Sequence, residues 1–262
     1  MTGESQATGG AAAQTAQRTL AMIVPVYNEA ENIERLIAEI ETHVPEPYVV
    51  NVVYDFDGDT TVPVVRRLAA ERPWLQLVKN DLGRGVVFAL QAGFQAVESG
   101  PALVVMADLS DDLSIVPELL RLYAEGYRVV CPSRYMRGGK QYGGPLLKRT
   151  LSRLAGVSLY WVAGLPTHDA TNNFRLYDAA LVNEMQIEST GGFELALELT
   201  AKAYRRGEPI TEFPCTWRDR TAGESRFQLR AWLPKYLKWY FYALRSREAR
   251  RQMTADRLVR DA

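Results

Sequence analysis

LAMIVPVYNEAENIERLIAEI, residues 20–40, changes period partway along. Its first seven residues form the unbroken apolar run of a strand buried on both faces. Ile33, Leu36, Ile37 and Ile40 then recur at i, i+3, i+4 and i+7, which is one face of a helix. Asn28 with Glu31 three residues later gives that helix a capping-box-like start. A buried strand running straight into an amphipathic helix is the first half of a βαβ unit.

The unit repeats. VVNVVYD (49–55) precedes a helix around 62–71, and LQLVKN (75–80) precedes a helix through Val87, Leu90, Phe94 and Val97. ALVVMAD (102–108) is a fourth strand, with a helix to about Glu125 closed by Gly126, and RVVCP (128–132) is a fifth. Alternating strands and helices predict an α/β fold: a Rossmann-like, mostly parallel central sheet with helices on both faces. Ligands of such sheets bind beyond the carboxyl ends of the strands. Glu29, Asp55, Gly83 to Gly85 and Asp108 all fall just past a strand end.

Beyond residue 140 the pattern turns helical, with helices expected over about 145–164 and 193–205. A strand at ITEFPCTW (210–217), a basic loop and a last aromatic helix follow. The 262 residues, 47% of them hydrophobic, suffice for one large domain. Residues 1–18 are small and polar, without the apolar core of a signal peptide, and read as a disordered tail. No apolar run reaches the roughly 18 residues that span a bilayer. Lys plus Arg and Asp plus Glu both number 31, so no overall field recruits nucleic acid, and charged ligands must be met by local clusters. Cys131 and Cys215 stand at no motif spacing, which argues against a disulfide framework or zinc site and fits a cytoplasmic protein.

The acidic end of the fourth strand is the sharpest chemical signal. A hard divalent cation takes one or two protein carboxylates and fills its octahedron with phosphate oxygens and water. Asp108, nearest the strand end, suits that task; Asp111 and Asp112 equally suit capping of the next helix.

Taken in order, PVYNEAENI (25–33), the acidic second-strand end, NDLGRG (80–85), MADLSDD (106–112), SRYMRGG (133–139), DATNNFRLYD (169–178) and RTAGESRF (220–227) resemble family 2 glycosyltransferases. More narrowly, the resemblance is to polyprenyl-phosphate and dolichyl-phosphate sugar synthases. It implies a GT-A domain over 19–226 followed by a C-terminal amphipathic helix and tail over 227–262. It also implies a nucleotide-diphosphate sugar donor and Mg2+ or Mn2+ bridging the diphosphate. By the same resemblance Asp108 is the metal-binding aspartate; with Met106 in the motif, water, Asp111 or Ser110 would complete its hold on the ion. Pro25, Tyr27, Glu29, Asp55, Asp57, Gly83, Arg84, Gly85 and Asp108 would line the donor site. Arg134, Lys148, Arg149, Ser152, Arg220, Ser225 and Arg226 would hold the acceptor phosphate, and Asp108, Arg134 and Arg220 would form the catalytic set.

Three departures stand out. Met106 replaces the first aspartate of D-x-D, and a thioether cannot take a carboxylate's place on Mg2+. Phe56, in YDFDGDTT (54–61), falls where a second aspartate is common. Asn172 and Asn173 stand where the synthases usually have Ser-Gly.

A phosphate monoester acceptor is already ionised at neutral pH and needs no general base. A hydroxyl acceptor would need one, and Asp169, Glu194 or His168 would be its source. In the last helix, FQLRAWLPKYLKWYFYALR (227–245), Leu229, Trp232, Leu233, Tyr236, Leu237, Tyr240 and Leu244 share a face flanked by basic residues. That pattern suits a membrane surface or packing on the sheet. The resembled enzymes use membrane-spanning helices or a small membrane subunit, so the resemblance implies a peripheral enzyme on the cytoplasmic face with such a subunit as partner. Two alternatives stay open: a soluble transferase with a hydroxyl acceptor, and an inactive nucleotide-sugar-binding homologue.

Overall fold

The structure, a computed structural model, describes residues 19–191, 194–219 and 233–246; the tail expected over 1–18 lies outside them. The chain begins as β1 (Leu20–Pro25), α1 (Ala30–His43), β2 (Tyr48–Tyr54), α2 (Thr61–Ala69), β3 (Leu75–Lys79), α3 (Val86–Gln95) and β4 (Pro101–Val104). A 3-10 turn at Leu113–Ile115 leads into α4 (Val116–Ala124), then β5 (Val129–Ser133), β6 (Lys140–Tyr142) and α5 (Leu146–Ser158), which runs on as a π turn to Ala163. β7 (Arg175–Asp178), α6 (Ala179–Asn183), α7 (Leu195–Arg205), β8 (Ile210–Pro214), β9 (Thr216–Arg218) and a helix α8 over 233–246 follow. β3-β2-β1-β4-β7-β5-β8 is the order of the seven-stranded sheet, and β6 pairs with β9 in a separate ribbon. Within the large sheet only β7 runs antiparallel to its neighbours.

β1 explains the layering. All six of its residues are buried. Because side chains alternate across a strand, Leu20, Met22 and Val24 join the core beneath α1, with Ile33, Leu36, Ile37 and Ile40. Ala21 and Ile23 join the opposite core, with Leu90 and Phe94 of α3. The sheet is thus covered on both faces, as the sequence predicts.

The first helix starts differently from the expectation. Asn28 sits at φ +56° and its side chain accepts from the Thr60 N–H at 3.1 Å, so it ties two loops together and forms no capping box with Glu31. Glu29 precedes α1 instead and accepts from Asn32 Nδ2 at 2.8 Å. ITEFPCTW is also two strands. The Cys215 N–H donates to Ser133 O at 3.1 Å while its carbonyl accepts from the Lys140 N–H at 2.9 Å, so the chain leaves the large sheet for the ribbon at that residue.

The face expected of the last helix is split. Trp239 and Ala243 enter the core, Tyr236, Tyr240 and Leu244 are half-buried against it, and Leu233, Leu237 and Phe241 are exposed. Lys202 of α7 lies 4.8 Å from the Trp239 ring and fixes that side inward. Leu229 and Trp232 lie outside the described residues.

α3 approaches β1 so closely that a Cβ at Gly93 would stand 2.3 Å from Ile23 Cγ2. Gly93→Ala should therefore destabilise the protein by about 1–3 kcal/mol from overpacking, despite alanine's better helix propensity. Urea denaturation would measure it.

Candidate functional site

The carboxyl ends of β1 and β2 are joined by one buried carboxylate. Asp59 accepts from the Asn28 N–H at 3.1 Å and the Thr61 N–H at 2.8 Å, and the Glu29 N–H donates to Thr61 Oγ1 at 2.9 Å. Asp55, at the end of β2, accepts from Asn80 Nδ2 and from the Gly85 N–H, each at 2.7 Å. Asn80 also donates to Gly83 O at 2.5 Å, so Asp55 and Asn80 together set the 80–85 loop. Gly85 has φ +112° and no atom within 4 Å of where a Cβ would be, so there is free space beside its Cα although its N–H is held by Asp55 and its carbonyl accepts from the Ala89 N–H.

Tyr27 is exposed, with its ring 5.7 Å from that of Phe56, so an aromatic contact stands where the resembled synthases commonly have a second aspartate. Pro25 is buried within β1, Glu29 is partly exposed and Arg84 is exposed between its glycines. Asp57 is turned to the surface in an ion pair with Lys79 at 2.8 Å.

Past β4 the chain turns sharply, with Leu109 at φ +61°. Asp112 caps the 3-10 turn through the Ser114 N–H at 3.2 Å. Asp108 accepts from the Ser110 N–H at 3.1 Å, and Asp111 reaches back to the Met106 N–H at 3.2 Å. Asp111 keeps partial solvent access. Burial, with Asp108 beside it, pushes its carboxyl up to about 8, against the pull of the Met106 N–H and Arg134. Two crowded carboxylates whose joint ionisation is disfavoured fit a hard divalent cation that takes its remaining oxygens from phosphate and water. Among the described residues no cluster of three or more His, Cys, Asp or Glu could hold a metal unaided.

Arg134 follows β5 and is locked in place. Its Nε and Nη2 donate to Asp169 Oδ2 and Oδ1 at 2.6 and 2.9 Å, its N–H donates to Oδ2 at 3.0 Å, and Nη2 reaches Thr171 Oγ1 at 3.2 Å. Burial raises the Asp169 carboxyl, but Arg134 outweighs it and holds the group below the usual carboxylate range. Ser152 meets Thr171 and accepts from Tyr135 OH at 3.0 Å. Above this network lies a cavity of about 460 Å³ lined by Arg134, Tyr135, Gln141, Arg149, Arg153 and Leu154, among others. Arg153 was not foreseen; its signal was its spacing of four from Arg149. Lys148 is exposed and does not line the cavity, and Arg220, Ser225 and Arg226 lie outside the described residues.

The remaining candidates, His168 and Glu194, are engaged by neighbouring groups. His168 Nδ1 lies 2.6 Å from Glu212 Oε1, and its ring stacks on Tyr160 at 3.7 Å. Glu194 is fully buried, its Oε1 accepting from the Gly191 N–H at 2.7 Å.

Comparison with known proteins bears on the family and the fold. A family model described as glycosyl transferase family 2 matches residues 21–185. Dolichol-phosphate mannosyltransferase from Pyrococcus furiosus is 27% identical over 215 residues, which are 80% of this chain and 59% of that protein, so the chain spans little more than half of that relative. Polyprenol monophosphomannose synthase from Mycolicibacterium smegmatis is 28% identical over 218 residues, 80% of this chain and 81% of that one. Undecaprenyl-phosphate mannosyltransferase from Micrococcus luteus is 29% identical over 210 residues, covering 78% and 85%. Among solved structures, glucosyl-3-phosphoglycerate synthase from Mycobacterium tuberculosis, in complex with Mn2+, UDP and glucosyl-3-phosphoglycerate, superposes with a TM-score of 0.63 at 18% identity. The match covers 94% of this chain and 86% of that one and identifies the GT-A fold.

Asp169→Asn should cost about 3–5 kcal/mol, because it leaves the Arg134 charge buried without its partner. Since the native carboxyl titrates below its ordinary value, the pair's contribution is complete above about pH 3.9 and is lost as pH falls through the lower native value. Thermal melts between pH 2 and 7 should show that acid-side loss in the wild type and a smaller one in D169N.

Proposed function

The chain belongs to glycosyltransferase family 2, and we propose that this glycosyltransferase moves a hexose from a nucleotide-diphosphate sugar to a polyprenyl phosphate, with inversion at the anomeric carbon. The observation that carries this reading is the arginine-lined cavity, whose Arg134 is near enough to act on the strand-end Asp111 and whose lining includes exposed Leu154.

The donor would lie across the ends of β1, β2 and β4, with Tyr27 and Asp55 at the nucleoside and the Gly83 to Gly85 backbone near the diphosphate. Asp108 and Asp111 would hold Mg2+ or Mn2+. The solved synthase carries Mn2+ in one complex and Mg2+ in another, each with UDP. When bound, the ion supplies charge neutralisation at the leaving diphosphate. An acceptor phosphate oxygen attacks the anomeric carbon as the bond to the diphosphate oxygen breaks, and the nucleoside diphosphate leaves with the electron pair. No proton is removed from the acceptor, so no general base is required. That agrees with Asp169, whose oxygens are taken by Arg134 and unsuited to act as base for a hydroxyl acceptor.

The surroundings of the cavity suit a lipid. Leu147 and Leu154 of α5 are each 61% exposed and Trp161, just beyond, is 72% exposed. Ser158 hydrogen-bonds Tyr240 at 2.9 Å, which sets α8 beside α5 with Leu233, Leu237 and Phe241 exposed as well. This apolar shelf would rest in the headgroup region of a membrane. No described helix is long and apolar enough to cross one.

With radiolabelled GDP-mannose, UDP-glucose and UDP-GlcNAc in turn, label should enter an organic-extractable lipid when vesicles contain a polyprenyl phosphate. Transfer only to water-soluble acceptors would sink the proposal. Asp108→Ala should lower turnover about 100-fold or more with an unchanged circular dichroism spectrum. Asp111→Asn should raise the metal concentration for half-maximal rate about tenfold. Leu237→Glu with Phe241→Glu should reduce co-flotation with vesicles several-fold while transfer to a short, detergent-dispersed acceptor persists.

A further inference from the structure

His168, which the sequence offers as a proton acceptor, is built into the structure as a link. Glu212 of β8 accepts from its N–H through Oε2 at 2.7 Å and faces its Nδ1 through Oε1 at 2.6 Å. An ionised carboxylate there can only accept, so the ring carries its hydrogen on Nδ1. Tyr160, in the π turn that continues α5, stacks on the ring at 3.7 Å with 22° between the planes, and Gly156 of α5 abuts the His168 carbonyl. The two side chains of the pair are only 21% and 13% exposed. Their neighbours are tied as well. The Thr167 N–H donates to Leu165 O at 2.7 Å, the Asp169 N–H donates to Thr167 Oγ1 at 3.1 Å, and Asp169 O accepts from Arg175 Nη2 at 2.6 Å.

Asp169 is the next residue, and both its oxygens are committed to Arg134. Arg134 is therefore placed no more accurately than the backbone that carries Asp169. Glu212 stands opposite Cys131 in the parallel register of β8 with β5, and Arg134 follows Cys131 by three residues. The contacts thus close a circuit from β5 through Arg134, Asp169, His168 and Glu212 back to β5. Resting on the acceptor reading above, we infer that Glu212 and His168 are positioning residues for the transfer: they act on Arg134 through the backbone of Asp169 and fix where its guanidinium stands in the cavity. The role asks for hydrogen bonds as well as volume. Glutamine at 212 keeps the length and an acceptor for the N–H, and its amide donates to Nδ1 of the other tautomer, whereas leucine fills the space and offers neither. A misplacement of about 1 Å can cost on the order of 100-fold in a reaction that depends on alignment.

Two measurements on the full chain test this. In steady-state transfer to farnesyl phosphate, with whichever donor of the panel above supports it, Glu212→Leu and His168→Leu should raise the acceptor KM about tenfold while the donor KM stays within about twofold. Glu212→Gln should leave both near wild type. Should E212L not fold, Glu212→Asp, a methylene too short to reach both groups, should give the same acceptor-side change at smaller size. An equal rise in both KM values, or E212L indistinguishable from E212Q, would overturn the inference. The second measurement follows the Arg134 Nε–H resonance in protein labelled with 15N-arginine, assigned by its loss in Arg134→Lys. It should move or broaden in E212L and H168L and stay in place in E212Q; a resonance unmoved in all three also overturns the inference. The pair of readouts separates the two claims. A resonance that follows the variants in a protein that does not transfer sugar to farnesyl phosphate upholds the positioning and removes the acceptor reading. Transfer with acceptor KM and resonance both indifferent to E212L retains that reading and removes the positioning.

Discussion

Burial of β1 on both faces, between parallel partners, is the constraint from which the rest follows. Registered with β2 on one side and β4 on the other, it brings three strand ends out along one edge of the sheet. β1 itself carries no polar side chain, and functional groups gather in the loops beyond those ends. The acidic and glycine-rich segments lie side by side because parallel strands leave their loops no other place.

Those loops are held by carboxylates, Asp59 and Asp169 buried and Asp55 half-buried, that bind backbone N–H groups and neighbouring side chains. Asp59 joins the first two loops, Asp55 joins the second to the third, and Asp169 fixes both the backbone and the guanidinium of Arg134. Each satisfies donors that would otherwise be costly to bury. Rigidity thus comes from fixed polar contacts, which leave free space beside Gly85 and an open cavity above Arg134.

Much of the fold was legible because buried parallel strands are unbroken apolar runs and their helices carry a 3.6-residue period. β7 was not, since it begins with Arg175, whose charge masks a strand residue. Arg175 is buried and donates to Asp169 O and to Ala196 O, the latter 21 residues away in sequence. Asn28 was misread for a related reason: a cap is a local pattern, and its real partner is 32 residues away. At the site, strand-end position identified Asp55, Asp108 and the glycines. Asp59 resembled any loop aspartate, and Arg153 lacked a motif because its place on the cavity depends on how α5 is docked.

That docking has a narrow gauge. Gly156 lies so near the 168–170 backbone that a Cβ there would stand 2.1 Å from His168 O. The same loop carries Asp169, which anchors Arg134, while Arg149 and Arg153 ride on α5 itself. A missing side chain at position 156 therefore works as a caliper: it sets the separation between the two walls of the cavity without touching anything inside it. Sequence drift at this outwardly unremarked glycine would change the width of the cavity while every residue lining it stayed the same.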